Sequence, residues 1–229
     1  MSYKIEQETK GKLHKERIHW GEKNLLWVKI LVSVFYLVGI VGMAIPDVRP
    51  FFQTLTPFHL LLTLGVMFWF HKDWNKNFLV FAALAWFLGY GSEVMGVHTG
   101  FPFGNYNYGP VLGIKLMEVP LMIGVNWLLL IYLTGSILNR LINIDWLAAS
   151  IGAITMVSID YAIEPVAIAL DFWSWEGGII PLSNYIGWFG VAFIIHMIYR
   201  KLQFKKENKI AVFLLANLVA FFLILNFIV

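Results

Sequence analysis

The sequence contains no cysteine among its 229 residues, and it contains only six histidines. The absence of cysteine excludes disulfide bonds, thiolate nucleophiles and metal sites with cysteine ligands. The histidines form none of the HxxxH or HxxHH patterns that membrane di-iron desaturases and hydroxylases need. Chemistry at a protein-bound iron centre is therefore disfavoured.

Other enzyme motifs are also missing. The sequence has no glycine-rich phosphate loop, no paired DDxxD element and no GxSxG element. Phosphoryl transfer, prenyl-diphosphate chemistry and serine hydrolysis therefore lack their usual residues. The last apolar segment has no lysine beyond Lys209 at its entrance, which argues against a retinal Schiff base.

Charge is scarce as well. Charged residues make up 14% of the chain, hydrophobic residues 59%, and the mean hydropathy is +0.71. These values lie outside the range of soluble globular domains and predict an all-α integral membrane protein. The net charge of +3 comes from basic residues at the ends of apolar segments, which favours the lipid bilayer as partner and disfavours nucleic acid.

The apolar residues fall into seven segments, each close to the length that crosses a bilayer: Leu25–Ile45, Thr56–Phe70, Phe78–Met95, Val119–Ile137, Trp146–Leu170, Tyr185–Tyr199 and Ile210–Val229. We predict a single bundle of about seven transmembrane helices over residues 25–229, after a charged cytoplasmic leader at residues 1–24. Thr56-Pro57 has the pattern of an N-cap followed by a first-turn proline. The second and sixth segments are short, so their helices could also start earlier, within Phe51–Leu55 and Pro181–Asn184.

Basic residues indicate the orientation of the bundle. Most of the 17 lysines and arginines lie in the leader and in the second, fourth and sixth connections. Arg49 and Lys115 fall on the opposite side. The positive-inside rule then predicts a multi-pass protein of the cell membrane with a cytoplasmic N-terminus.

One long connection stands between the third and fourth segments. Residues 93–120 read EVMGVHTGFPFGNYNYGPVLGIKLMEVP and are rich in glycine, proline and aromatic residues. Glycine permits unusual backbone angles and proline stiffens the chain, so we predict a folded lid. Glu93 and Glu118 bracket it near the membrane boundary, where an unpaired charge costs several kcal/mol.

The fifth segment carries three more carboxyl groups, Asp160, Glu164 and Asp171, at spacings that place them on one face of a helix. Asp160 and Glu164 lie one turn apart with no lysine or arginine at their depth, so both should not ionise together. A carboxylic acid that stays protonated near neutral pH can donate a proton, and we therefore predict a functional role for this pair. For Glu118 and Asp171, a solvated position is an equally good interpretation. Trp173, Trp175 and Trp188 are more often found in an interfacial aromatic belt than in a ligand site.

Three stretches of the sequence resemble a known family. They are EVMGVHTGFPFGNYNYGPVLGIKLMEVPLMIGVNW, DYAIEPVAIALDFWSW and IPLSNYIGWFG. They are similar to the membrane carotenoid biosynthesis proteins, which include carotenoid 1,2-hydratases of the CruF type and archaeal bisanhydrobacterioruberin hydratase. Where that family often has Asp before Pro-x-Ala, this sequence has Glu164, with Asp160 one turn earlier.

The resemblance implies a carotenoid hydratase that adds water to the terminal isoprenoid double bond of a linear or monocyclic carotenoid, of the lycopene or gamma-carotene class. Acid catalysis would give a tertiary 1-hydroxy end group without a cofactor or metal. The catalytic residues implied are Asp160 or Glu164 as the acid, and Glu93 with His98 as the base or proton relay. The substrate-binding residues implied are Tyr106, Tyr108, Glu118, Trp173, Asn184 and Trp188.

Two alternatives stay open at this point. The same acid could drive another end-group reaction, such as cyclisation or isomerisation, without capturing water. A carotenoid or lipid carrier could also use the carboxyl groups only to stabilise its helix bundle. The oligomeric state does not follow from the sequence.

Overall fold

The computed structural model describes residues 23–229, and this part of the chain forms seven α-helices. They are α1 (Leu25–Ala44), α2 (Arg49–Trp69), α3 (Lys76–Thr99), α4 (Leu121–Leu141), α5 (Asp145–Ala169), α6 (Leu182–Lys201) and α7 (Ala211–Leu225). The first six are long and apolar enough to cross a bilayer, and α7 is an apolar helix of 15 residues. The predicted all-α multi-pass membrane fold is confirmed. Residues 1–22 of the predicted leader lie outside the described part of the chain.

Several helix boundaries differ from the sequence prediction, and those of α2 and α3 matter most for the site. Helix α2 begins at Arg49, because Pro50 occupies the first turn, where a missing N–H leaves no hydrogen bond unmade. Pro57 lies inside α2, so the prediction of a helix start at Thr56-Pro57 is wrong. Helix α3 continues past Met95 to Thr99, where Gly100 adopts a left-handed backbone angle of φ 73° and ends it.

Helix α4 forms the centre of the bundle. Every residue from Trp127 to Ser136 is buried, and α4 contacts α2, α3, α5, α6 and α7. A helix that is apolar on all sides is stable only when other helices surround it. By contrast, α1 and α2 leave most of their apolar residues exposed, as expected of helices that face lipid.

Helices α5 and α6 form the most extensive helix pair of the bundle. Gly152 of α5 lies directly against the His196 ring of α6, so closely that a side chain at position 152 would overlap the ring. His196 also contacts Thr134 of α4, with 2.9 Å between the ring Nε2 and the hydroxyl. These contacts hold three helices together below the candidate site.

The connection between α3 and α4 is a folded structure, as predicted. Its strand β1 (Tyr106–Tyr108) pairs antiparallel with strand β4 (Trp173–Trp175), which follows α5. Strands β2 (Lys115–Leu116) and β3 (Val119–Pro120) form a second small hairpin. The β1–β4 ribbon joins two parts of the chain that are far apart in sequence.

Candidate functional site

A polar cavity of about 30 Å³ lies beneath the β1–β4 ribbon, between α3, α4, α5 and α6. One water molecule needs at least about 10–15 Å³, so the cavity has space for one or two. Three buried carboxyl groups line it, Glu93 from α3 and Asp160 and Glu164 from α5. The remaining lining residues are six aromatic, two amide and two aliphatic side chains: Tyr106, Tyr108, Trp127, Trp173, Trp175, Trp188, Asn126, Asn184, Ile123 and Ile163.

Glu93 accepts three hydrogen bonds. The hydroxyls of Tyr106 and Tyr108 donate to Oε2 at 2.5 Å and 2.8 Å, and the indole N–H of Trp127 donates to Oε1 at 3.1 Å. Donors to an ionised carboxylate stabilise its charged form. This arrangement compensates for the burial of Glu93, which is 3% exposed.

Glu164 is held in a similar way by different residues. The indole N–H groups of Trp173 and Trp175 each donate to Oε2 at 2.9 Å, and the Asn184 amide donates to Oε1 at 3.3 Å. The two tryptophans reach the same carboxyl because alternate residues of a strand point to the same face. Glu164 therefore also has the donors that a buried carboxylate needs.

Asp160 has fewer donors. Within residues 23–229, Asn184 is the one recorded donor to its carboxyl group, at 2.8 Å from Oδ2. Asp160 is 1% exposed, and no lysine or arginine of the described part of the chain lines the cavity. Of the three carboxyl groups, Asp160 has the weakest compensation for carrying a buried charge.

Tyr106 and Tyr108 lie outside the membrane-spanning segments. Burial, followed by the negative charge of Glu93, raises the pKa of Tyr108 well above its ordinary value, and the pKa of Tyr106 is raised for the same reasons. Both hydroxyls therefore stay protonated at neutral pH and remain hydrogen-bond donors to Glu93.

Aromatic rings form the walls of the cavity. Trp127 and Trp188 stack with their ring centroids 4.4 Å apart and an interplanar angle of 23°. On the ribbon, Tyr106 packs against Trp175 with centroids 5.0 Å apart. The negative face of an aromatic ring attracts cations, so these walls are suited to a positively charged intermediate.

The structure brings eight of the ten sequence-predicted site residues into one cavity: Glu93, Asp160, Glu164, Tyr106, Tyr108, Trp173, Asn184 and Trp188. His98 does not line the cavity and is exposed, because five residues along α3 turn it about 140° away from Glu93. Glu118 is also exposed, in the turn between β2 and β3 with φ 64°. Asp171 lies beyond the end of α5, exposed, and not on the helix face that carries Asp160.

Two residues that contact the carboxyl groups were not predicted as site residues. Trp127 lies within an apolar run of the sequence, which gives no sign of a polar contact. In the structure its indole N–H donates a hydrogen bond to Glu93. Trp175 was assigned to an interfacial belt, although its spacing of two from Trp173 could have placed both on one strand face. Within the described residues, no three histidine, aspartate or glutamate side chains are grouped as metal ligands would be.

Comparison with known proteins identifies the family of this chain. The family model described as "Carotenoid biosynthesis protein" matches residues 55–229. A bisanhydrobacterioruberin hydratase from Haloarcula japonica is 34% identical over 113 residues, which cover 43% of this chain and 36% of that protein. The aligned region is thus about a third of the length of the relative. No solved structure is similar to this chain. Because the family model matches most of the sequence, the chain belongs to the carotenoid biosynthesis protein family.

Proposed function

We propose that this protein is a carotenoid hydratase of the cell membrane. It adds water across the terminal isoprenoid double bond of a linear or monocyclic carotenoid and leaves a tertiary 1-hydroxy end group. The observation that carries the proposal is a water-sized cavity that combines three buried carboxyl groups with aromatic walls. The similarity to a hydratase supports the same reaction class.

Asp160 is the proposed acid. Among the described residues, three side chains donate to Glu93 and three to Glu164, whereas Asn184 is the one donor to Asp160. Asp160 is therefore the carboxyl group best suited to hold a proton beside two anions. It protonates the less substituted carbon of the double bond, so the π bond breaks, a C–H bond forms, and the tertiary carbon becomes a cation.

The cation is stabilised by the walls of the cavity. Trp127 and Trp188 line the cavity as a stacked pair and bring aromatic π electrons close to the cation, and the negative charge of Glu164 attracts it. Trp173 and Trp175 hold the Glu164 carboxylate in place, so little reorganisation is needed as charge develops.

Glu93 is the proposed base. It accepts a proton from a water molecule as the water oxygen bonds to the tertiary carbon. Tyr106 and Tyr108 orient the Glu93 carboxylate and stabilise its ionised form for that step. The Glu93 proton then returns to Asp160 through water. The net reaction is the addition of one water molecule across one carbon–carbon double bond of the carotenoid. It involves no oxidation or reduction and needs no cofactor.

The cavity favours hydration over the alternative end-group reactions. Cyclisation or isomerisation must keep water away from the cation, whereas this cavity places three carboxyl groups around a space for one or two waters. A non-catalytic carrier would not need a poorly compensated buried acid beside two well-compensated carboxylates.

Isotope labelling tests the proposal. The protein would be expressed in cells that accumulate lycopene, and the product would be analysed by mass spectrometry. We expect a product heavier by one water that forms without oxygen and in the presence of a strong chelator. Its hydroxyl oxygen should come from labelled water, and deuterium from heavy water should appear on the carbon next to the carbinol. Label from oxygen gas, or a requirement for added metal, would contradict the proposed mechanism.

A further inference from the structure

A second cavity of about 290 Å³ lies on the lipid-facing side of the bundle, between α5 and α7. It runs along α5 from Thr155 to Ile163, a length of about 12 Å at the helical rise. We call it the α5–α7 groove. Its other lining residues are Ser158, Ile159, Ala162, Leu215, Val219, Phe222 and Leu223.

The groove is apolar although two hydroxyl residues line it. Thr155 donates to the Ile151 carbonyl at 2.8 Å, and Ser158 donates to the Ile154 carbonyl at 2.9 Å. Both hydroxyl groups are therefore satisfied within their own helix and need no polar ligand. The side chains that line the groove therefore favour an apolar ligand over a charged or strongly hydrogen-bonding one.

The groove meets the catalytic cavity at a single side chain. Ile163 lines both spaces and is only 6% exposed. At about 100° per residue, Thr155, Ser158 and Ala162 lie on the side of α5 opposite Asp160, and Ile163 lies between the two sides. A chain lying in the groove is therefore separated from the acid by the flank of α5 that carries Ile163, and its end reaches Asp160 only by passing around that flank.

We propose that the α5–α7 groove holds the polyene chain of the substrate, with Ile163 separating it from the catalytic cavity. This inference rests on the proposed function. The groove is apolar, and at Ile163 it adjoins the small cavity that holds the three carboxyl groups. A carotenoid dissolved in the bilayer can slide into it lengthwise and present its terminal double bond to Asp160. An ordinary membrane lipid has no terminal double bond for Asp160 to protonate.

Thiol protection tests this proposal in the cysteine-free chain. Ala162→Cys places a small reactive group in the groove without blocking it, and Ile154→Cys places one on the exposed surface of the same helix, outside the groove. Both variants would be purified in detergent micelles that contain lycopene or a saturated hydrocarbon, and alkylation by N-ethylmaleimide would be followed with time. We expect lycopene at about ten times its dissociation constant to slow alkylation at position 162 by about tenfold and to leave position 154 unchanged. A bulky maleimide attached to Ala162→Cys should also abolish product formation. The same folded protein is assayed before and after modification, so a loss of activity cannot come from a failure to fold.

The possible outcomes separate the two proposals. Equal alkylation of Ala162→Cys in lycopene and in saturated hydrocarbon would show that the groove holds only lipid, even if wild-type protein hydrates lycopene. Protection at position 162 by lycopene, with no hydrated product from wild-type protein, would support the groove and contradict the hydratase proposal. Unchanged product formation after complete modification with the bulky maleimide would overturn the groove proposal.

Discussion

Asn184 of α6 donates a hydrogen bond to Asp160 of α5, with 2.8 Å between the amide nitrogen and Oδ2. Both residues are buried, at 2% and 1% exposure, so the contact is shielded from bulk solvent. The same amide group lies 3.3 Å from Glu164, which places one orienting donor between the proposed acid and its neighbouring carboxylate.

Replacing the acid should abolish turnover without unfolding the protein. We expect Asp160→Asn to lower product formation by about a hundredfold or more, the usual loss when a positioned acid is removed. Glu164→Gln should cause a similar loss by removing the negative charge beside the cation. The measurement is product formed per amount of folded membrane protein. Asp171→Asn is the matched control, because this aspartate is exposed and its left-handed backbone angle of φ 59° also suits asparagine. Full activity of Asp160→Asn would show that α5 has a structural role only.

The two tyrosines should act through Glu93 and not independently. Tyr106→Phe and Tyr108→Phe each remove one donor to Oε2 and keep the ring, so each should lower the rate by about tenfold, the worth of one hydrogen bond to a charged group. In a Glu93→Gln background the same changes should have little further effect. Rates of the single and double variants would be compared as a double-mutant cycle. Additive losses would mean that the hydroxyls act on the substrate directly.

A pair of glycines in α3 provides a test of Trp127. A side chain added at Gly89 would overlap the Trp127 ring, whereas one added at Gly91 would meet no described atom within 4 Å beyond its own stretch of helix. Overpacking of this kind costs about 1–3 kcal/mol, so Gly89→Ala should lower thermal stability and displace the Trp127 donor from Glu93. Gly91→Ala, the control, should leave activity intact and raise stability by about 0.5–1 kcal/mol through helix propensity. Equal melting temperatures and rates for the two variants would contradict the role assigned to Trp127.

The orientation of the bundle can be tested with single cysteines. Ser174 and Glu207 are exposed and lie in connections at opposite ends of the bundle. We expect a membrane-impermeant thiol reagent applied to intact cells to label Ser174→Cys and not Glu207→Cys, because the positive-inside rule places the basic connection in the cytoplasm. Permeabilised cells, in which both should react, provide the control. Labelling of Glu207→Cys alone from outside would reverse the predicted orientation.

Much of this architecture follows from the sequence because membrane helices must satisfy their own backbone and show long apolar runs. The carboxyl groups were informative for the same reason, since a buried acid without a basic partner is costly and therefore conspicuous in an apolar helix. Glu93, Asp160 and Glu164 could be placed together from helix direction alone.

What the sequence did not reveal depends on the rotation of helices and on partners distant in the chain. His98 is near Glu93 in sequence, but the continuation of α3 to Thr99 turns it to the exposed side of the helix. Trp175 contacts Glu164 only because β4 pairs with β1, a strand some seventy residues earlier. Pairing between such distant short strands has no periodic signal that local reasoning can detect.

The β1–β4 ribbon has a consequence for how the site can open. It carries two donors to Glu93, Tyr106 and Tyr108, and two donors to Glu164, Trp173 and Trp175. Moving the ribbon away from the cavity would break all four of these hydrogen bonds at once. Each hydrogen bond to a charged group contributes about 1.5–3 kcal/mol. If the substrate entered through the aqueous face, both glutamates would lose these donors each time a substrate passed. If it entered sideways from the bilayer, the ribbon could stay in place and both glutamates would keep their hydrogen bonds.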